Sequence, residues 1–389
     1  MSYHNTVLHQ MLDIFPRHQF QKVVNRHRGD YRVRRLRCWD QFVHLLYAQL
    51  SGRESMRDLV SGIRCFGSKL YHLGARTARR STLSDANNNR SHEIYRDIFF
   101  SLSSQVSSLA PKYKLKLNRK LYILDSTFLE LCLSIFPWAR FRKAKGAVKL
   151  HTLLQADGLI PRFIVLTDGK KHDAPAARRM DIPAGSFLVF DKGYHDFVFY
   201  NLLASKAIRF VTRLKSNANY RVLKRRGVCK STGVTSDHEI VFTGFYTRRK
   251  YPGKLRRIRY VDPETGKAYT FLTNNFKLAA RTIANIYKAR WEIELFFKCI
   301  KQNLKIKRFF GTTPNAVFTQ IWIAMIAYLL ASFYKFTLKT KLSIQQIFRL
   351  LKVQLFEKRS LLEVFLNDIV MPPESACINQ LNLSILTGH

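Results

Sequence analysis

The 389-residue sequence predicts a mixed α/β core with helical regions at both ends. Three observations carry this expectation. Short runs of β-branched and large apolar residues, bounded by Gly, Pro and Asp, recur between residues 120 and 214. Apolar residues at helical spacing dominate before and after them. The predicted strands come as three in succession and then as strand, helix, strand, which is the alternation of a mixed sheet. Hydrophobic residues make up 47% of the chain, enough for a real core and too many for a wholly disordered protein.

The elements follow in order. Trp39 to Leu50 carries apolar residues at Trp39, Phe42, Leu45, Leu46 and Leu50, a helical spacing. Ser51 and Glu54 then match an S-x-x-E capping box, which starts a second helix near Gly52 with Arg53 and Arg57 one turn apart on it. Two short helices with Arg on the second fit a DNA-reading pair, and equally a plain αα-hairpin with solvated cations. Another helix is expected from about Ser91 to Ser107. Strands are expected in LYILDSTFLELCL from Leu121, at 148–155, at 161–169 and in SFLVFDKGY at 186–194, the last a nearly continuous apolar run. A helix at 196–206 and a strand at 208–214 complete the core. The next 65 residues or so alternate in a β pattern (EIVFTGF, RIRYV, AYTFLTN) with a turn from Asp262 to Gly266, and read as a β-rich insertion. Leu278 to Leu304 reads as one long helix.

The boundaries drawn are 1–115, helical and basic; 116–214, first part of the core; 215–277, insertion; 278–310, the core's last helix; and 311–389, helical. No charged residue occurs from Phe309 to Tyr334. The strongly apolar part, Ile321 to Leu330, is short for a bilayer, which needs roughly 20 residues. A buried core helix is therefore expected there, with no membrane partner.

Charge points to the partner. Lys and Arg total 66 against 26 Asp and Glu, a net of +40. Residues 1–120 hold 22 Lys and Arg against 8 acids, and residues 206–277 hold 18 against 4. Such an excess repels itself unless a polyanion screens it, and nucleic acid is the first candidate. The six cysteines, Cys38, Cys65, Cys132, Cys229, Cys299 and Cys377, form no CxxC site and read as inert thiols of a reducing cytosol. The N-terminus MSYHNTVLHQ has no apolar stretch, so a cytoplasmic protein is expected.

In a chain poor in acids, three carboxylates stand out. Asp125 lies in the first strand behind Ile123 and Leu124, where a charge is costly unless something binds it. Asp191 closes the fourth strand, and functional groups gather at strand ends in α/β sheets. Glu294 lies in the long helix. Together they could surround a pair of Mg²⁺ ions, an arrangement suited to in-line displacement at phosphodiesters. Each alone also reads as an ordinary salt-bridged acid. The helix adds a stripe: Tyr287, Arg290, Glu294 and Lys301 fall within an arc of about 60° at 100° per residue. That stripe borders the apolar residues Ile286, Ile293, Phe297, Ile300 and Leu304, while Glu292 falls near 140° from Tyr287, away from it.

The spacing Y-(2)-R-(3)-E-(6)-K resembles the signature of one branch of the DDE transposases of bacterial insertion sequences, the family named for insertion sequence four. YILDST, KLHTLLQADG, VFDKGY and RWEIELFFKCIKQNLKIKRFFGTT resemble that family's segments in the same order, as does WDQF…AQLSGRESMRDLV near the N-terminus. The resemblance implies a ribonuclease-H-like catalytic core with a β-rich insertion before the last acid. It implies that Asp125, Asp191 and Glu294 bind two Mg²⁺ ions, for which Mn²⁺ can substitute. It gives Tyr287, Arg290 and Lys301 contacts to DNA phosphates, extended along the helix by Lys298 and Lys305. Trp291 matches a position that stacks on DNA near the cleavage point in some relatives, and equally suits packing on the insertion. Arg140, Arg142, Lys143, Lys145 and Lys149 then line the DNA path near Asp125 or form a solvated loop. His151 and His172 are structural in this reading, since imidazole is not a usual Mg²⁺ ligand.

The activity implied is cut-and-paste transposition: binding of terminal inverted repeats, cleavage of both strands through a hairpin end, and joining to target DNA, with a homodimer holding two ends. A non-catalytic DNA-binding regulator and a branched-DNA nuclease of the same core fold are the rival readings.

Overall fold

The computed structural model describes residues 4–142, 145–168, 173–304, 306 and 308–366. Among the described residues ten strands form one sheet. They are β1 (Leu121–Leu131), β2 (Arg140–Arg142), β3 (Lys145–Gln155), β4 (Ile160–Asp168), β5 (Phe187–Phe190), β6 (Arg209–Arg213), β7 (Tyr220–Arg225), β8 (Val234–Phe242), β9 (Leu255–Val261) and β10 (Ala268–Thr273). Their order is β2-β3-β1-β5-β6-β10-β9-β8-β7, with β4 also on β3. β4, β3 and β1 are antiparallel neighbours, and β5 and β6 then run parallel to β1. This is the ribonuclease-H-like arrangement. The short Ala156–Gly158 turn, with Gly158 at φ 65°, lets β3 and β4 form a hairpin. The helix Phe197–Ser205 makes the crossover that parallel β5 and β6 require.

The two faces of β1 bury different partners, as period-two alternation demands. Leu121 and Ile123 pack in the cluster that holds Ile286, Ile293 and Ile300. Tyr122 and Leu124 pack on the other face with Tyr194, Phe199, Tyr200 and Phe210. The apolar helix Pro314–Thr337 is long and apolar enough to cross a membrane, yet 89% of its most apolar window is buried inside the protein. It lies against Glu93–Leu109 and Cys38–Ser51. Pro314 sits in its first turn, and the Thr313 hydroxyl accepts from the Ala316 N–H. Its Gln320 accepts from the Phe310 N–H at 2.9 Å and donates to the Arg308 carbonyl at 2.8 Å, so the buried amide is satisfied.

Several expectations change. Leu278–Leu304 is not one helix but two, Ala280–Lys288 and Trp291–Asn303. At the join the Arg290, Glu292 and Ile293 N–H groups bond to carbonyls three residues back, a tightened turn instead of a regular α-helical one. The capping box at Ser51 is absent. Ser51 ends the first helix, its hydroxyl donating to the Tyr47 carbonyl at 2.7 Å, and Gly52 caps it at φ 75°. The next helix, Met56–Arg64, is capped by Ser55. Arg53 therefore lies before that helix, bound to Asp58 at 2.9 Å and to the Tyr47 hydroxyl at 3.1 Å, while Arg57 is exposed on it. The insertion is continuous with the core sheet, because β10 pairs directly with β6. The basic strand β7 carries no clear apolar alternation and was not expected as a strand.

One buried ion pair within the insertion also reaches the segment just before the last core helices. Arg256 donates to both carboxylate oxygens of Asp237, at 2.8 and 2.6 Å, and to the Leu278 carbonyl at 2.6 Å. Both side chains are buried. Removing one partner of such a pair leaves a desolvated charge. Asp237→Ala should thus cost about 3–5 kcal/mol of stability by chemical denaturation. A loss below about 1 kcal/mol would show that the pair does not hold the insertion in place.

Candidate active site

Asp125 is the first residue of β1 after four fully buried ones, Leu121 to Leu124. In the parallel pairing of β1 with β5, Leu124 lies opposite Phe190. Asp125 and Asp191 each follow that pair by one residue, so the register sets them side by side where β5 ends. The third acid comes from the other layer. The buried Ile293, Phe297 and Ile300 seat the Trp291–Asn303 helix in the core on the Ile123 face of β1. That places Arg290 and Glu294 over Asp125 and the end of β5.

One guanidinium links the acids. Arg290 donates to Asp125 Oδ2 at 2.9 Å and pairs with Glu294 Oε1 at 2.6 Å. Asp191 Oδ1 accepts from Arg213 at 3.0 Å and from the Tyr287 hydroxyl at 3.4 Å. Burial pushes the Asp125 carboxyl up to about 6, against the opposing pull of the Ser126 N–H and Arg290, and the nearby Asp191 adds to the rise. Burial acts the same way on Asp191, but the Lys192 N–H and Arg213 outweigh it and hold that carboxyl below its ordinary value. Burial disfavours the charge of Arg290, yet Tyr287, Asp125 and Glu294 keep it charged more firmly than a free guanidinium. Tyr287 is buried against Phe271, with ring centroids 4.8 Å apart, and burial raises its hydroxyl to about 12.

Among the described residues no three His, Cys, Asp or Glu side chains converge as a ready metal cage. The Arg290 guanidinium stands between Asp125 and Glu294 instead. That cation is held by two carboxylates with a third close by, so the donor set accepts concentrated positive charge. Carboxylate oxygens are hard ligands of the kind Mg²⁺ prefers. The residues present therefore fit a divalent cation once Arg290 releases them.

The other expected residues distribute as follows. Glu292 faces away, its carboxylate 3.4 Å from the Tyr113 hydroxyl and 3.5 Å from Lys114. Trp291 is 59% exposed. Lys298 is exposed and Lys301 half-buried on the same helix. Lys305, Lys143 and His172 lie outside the described residues. Arg140, Arg142 and Lys145 belong to β2 and β3. Lys149 does not line a DNA path: it is buried and paired with Asp173 at 2.5 Å. His151 is fully buried, which lowers its imidazole to about 4. The five described cysteines are unpaired, and Cys65, Cys132 and Cys229 among them are exposed rather than buried.

Two contributors were not legible in sequence. Arg213, the last residue of β6, reaches Asp191 only because β5 and β6 are neighbours. Asp173 lies in a charged segment where nothing distinguishes it from a surface acid. Beside Asp191 an open groove of about 1230 Å³ is lined by Arg213, Lys215, Arg257 and Lys267 together with Tyr220 and Tyr269. Cations interleaved with aromatic rings suit a nucleic-acid strand.

Comparison with known proteins bears on this site. Residues 116–330 match the family described as "Transposase DDE domain", and residues 3–76 match a domain of unknown function (DUF4372). The chain is 34% identical over 251 residues to a provisionally named transposase, y4zB, of Sinorhizobium fredii, covering 64% of this chain and 69% of that one. It is 30% identical over 217 residues to a provisionally named transposase for insertion sequence element IS5377 of Geobacillus stearothermophilus, covering 56% and 57%. It is 27% identical over 270 residues to one for element IS4SA of Synechocystis, covering 67% and 73%. A solved structure of the piggyBac transposase synaptic complex with hairpin DNA aligns at a TM-score of 0.45 with 10% identity, over 87% of this chain and 73% of that one. Since the family match spans more than half of the sequence, the chain belongs to the DDE transposases, of the IS4 type.

Proposed function

We propose that this transposase binds the terminal inverted repeats of its own insertion sequence, cuts its ends and joins them to target DNA. The observation that carries the reading is the pairing of Asp125 and Glu294 with Arg290, beside Asp191 where β5 ends. These acids would hold two Mg²⁺ ions, or Mn²⁺ in their place, which activate the attacking oxygen and stabilise the leaving one. Tyr287 and Arg290 orient the carboxylates in the free protein. With DNA and cations bound, Tyr287, Arg290 and Lys301 turn to the phosphates, with Lys298 and Lys305 further along. Trp291, exposed one residue from Arg290, stacks on a base beside the cleavage point. Arg140, Arg142, Lys143 and Lys145 track the backbone near Asp125, and Arg53 and Arg57 contact the repeat.

Each chemical step breaks one P–O3′ bond of a phosphodiester, with water or a 3′-OH as the attacking group. Water breaks a P–O3′ bond and frees the 3′-OH of the element. That hydroxyl attacks the opposite strand and closes a hairpin, expelling the flanking 3′-OH. Water reopens the hairpin, and the 3′-OH finally displaces a target 3′ oxygen. Joining two ends requires two active sites, so a homodimer acts, in the cytoplasm where the DNA lies.

Duplexes carrying the inverted repeats that flank the gene should be footprinted at the repeats and nicked at their ends in Mg²⁺. Binding without nicking would favour the regulator, and nicking without footprinted repeats the branched-DNA nuclease. Non-specific duplex binding should weaken steeply with salt, with a log–log slope near −5 for about six neutralised phosphates. A slope shallower than about −3 would mean that the basic excess does not face DNA.

A further inference from the structure

On the face of β1 opposite Arg290, polar side chains from β1 and β3 converge on Asp173. Ser126 follows Asp125 on the strand, so its side chain leaves by the other face. Its hydroxyl donates to Asp173 Oδ1 at 3.1 Å. The same oxygen lies 2.5 Å from Lys149 Nζ and 3.4 Å from His151 Nδ1. Lys149 and His151 are both buried on β3, where Ser126 pairs with His151 in register. His151 also contacts the Tyr194 hydroxyl at 3.3 Å and the Thr167 hydroxyl at 3.0 Å. Tyr194 ends the single turn Lys192–Tyr194 that begins directly after Asp191. At Gly193, in the middle of that turn, a Cβ would lie 3.4 Å from Asp173 Oδ2, so the carboxylate rests against it. Asp173 thus touches β1 one residue from Asp125, β3 twice, and the turn that follows Asp191.

We propose that Asp173 is a positioning residue that fixes the separation of Asp125 and Asp191 from behind the sheet. The proposal rests on the reading of those two acids as cation ligands. Mg²⁺ demands near-ideal octahedral geometry, so small drifts of the strand end and the turn weaken binding. Groups that orient metal ligands change affinity by about 10- to 100-fold when removed. A carboxylate that merely neutralised Lys149 would matter for folding and not for cation affinity.

The test uses the full chain without DNA. Mn²⁺ is titrated by the electron paramagnetic resonance of the free ion, with thermal unfolding measured alongside. Asp173→Asn alone strands the Lys149 charge and risks misfolding, so two milder variants are used. Ser126→Ala keeps the Lys149–Asp173 pair but cuts its link to β1. Asp173→Asn combined with Lys149→Met removes both charges together. Each should weaken Mn²⁺ binding by about 10-fold or more without a matching fall in melting temperature. Asp125→Asn serves as reference and should remove the binding. If Asp125→Asn does so while either test variant changes affinity by less than about threefold, Asp173 is only a structural counter-charge. If Asp125→Asn leaves Mn²⁺ binding intact, the cation reading of the acids is what fails, and this proposal with it.

Discussion

Alanine at Asp125, Asp191 or Glu294 is expected to lower strand cleavage in Mg²⁺ by at least about 10³-fold while end binding stays within a few-fold of the unmodified protein. The two readouts separate because opposite charges carry them. The acids would hold cations, whereas affinity for DNA comes from the cationic surface, and removing an acid from a chain of net +40 cannot weaken that. Arg290 gives the expectation a structural control. It binds both Asp125 and Glu294, so loss of either acid leaves it the other partner and no stranded buried charge. Cleavage in single turnover and a mobility-shift titration on the same end fragment would check both halves. Near-normal cleavage by any one of the variants would remove that residue from the metal site.

A second large contrast is expected two residues apart. Glu294→Gln should abolish cleavage by orders of magnitude, and Glu292→Gln should keep most of it. Both substitutions remove one charge and keep the shape, so a difference cannot come from gross folding. Both residues lie within the Trp291–Asn303 helix, whose first turn is tightened. Two residues of regular helix separate their directions by about 160°. Glu294 turns to Arg290, which also holds Asp125, and Glu292 to Tyr113 and Lys114. If Glu292→Gln were the inactive variant, the helix would have to rotate on binding DNA, and the Y-R-E-K spacing would be coincidental.

Much of the fold was legible locally because it rests on patterns of neighbouring residues. The apolar runs at Leu121–Leu124 and Phe187–Phe190 are buried on both faces, and that composition alone marks core strands. A buried core helix was legible at Ile321–Leu330, an apolar run too short for a bilayer, and the structure extends it to Pro314–Thr337. The separation of Glu294 from Glu292 needed only helical geometry, and it survived the break because both residues belong to the same helix, Trp291–Asn303. The helix join itself was not legible, since Ala289 and Arg290 keep helical backbone angles and only the hydrogen-bond partners change.

What tertiary structure alone decided is which charge meets which. Sequence marks Arg53, Lys149 and Asp173 as three charged residues, each ready for solvent or DNA. The fold sends Arg53 to Asp58 and Tyr47, and buries Lys149 against Asp173. It likewise brings Arg213 to Asp191 and Arg290 to Asp125 across 22 and 165 residues of chain. Apolar patterning is written residue by residue because burial selects side chains at every turn or alternate position of an element. Ion pairs between distant segments carry no such period: their partners are chosen by strand order and helix placement, and those follow only from the packing of the whole core.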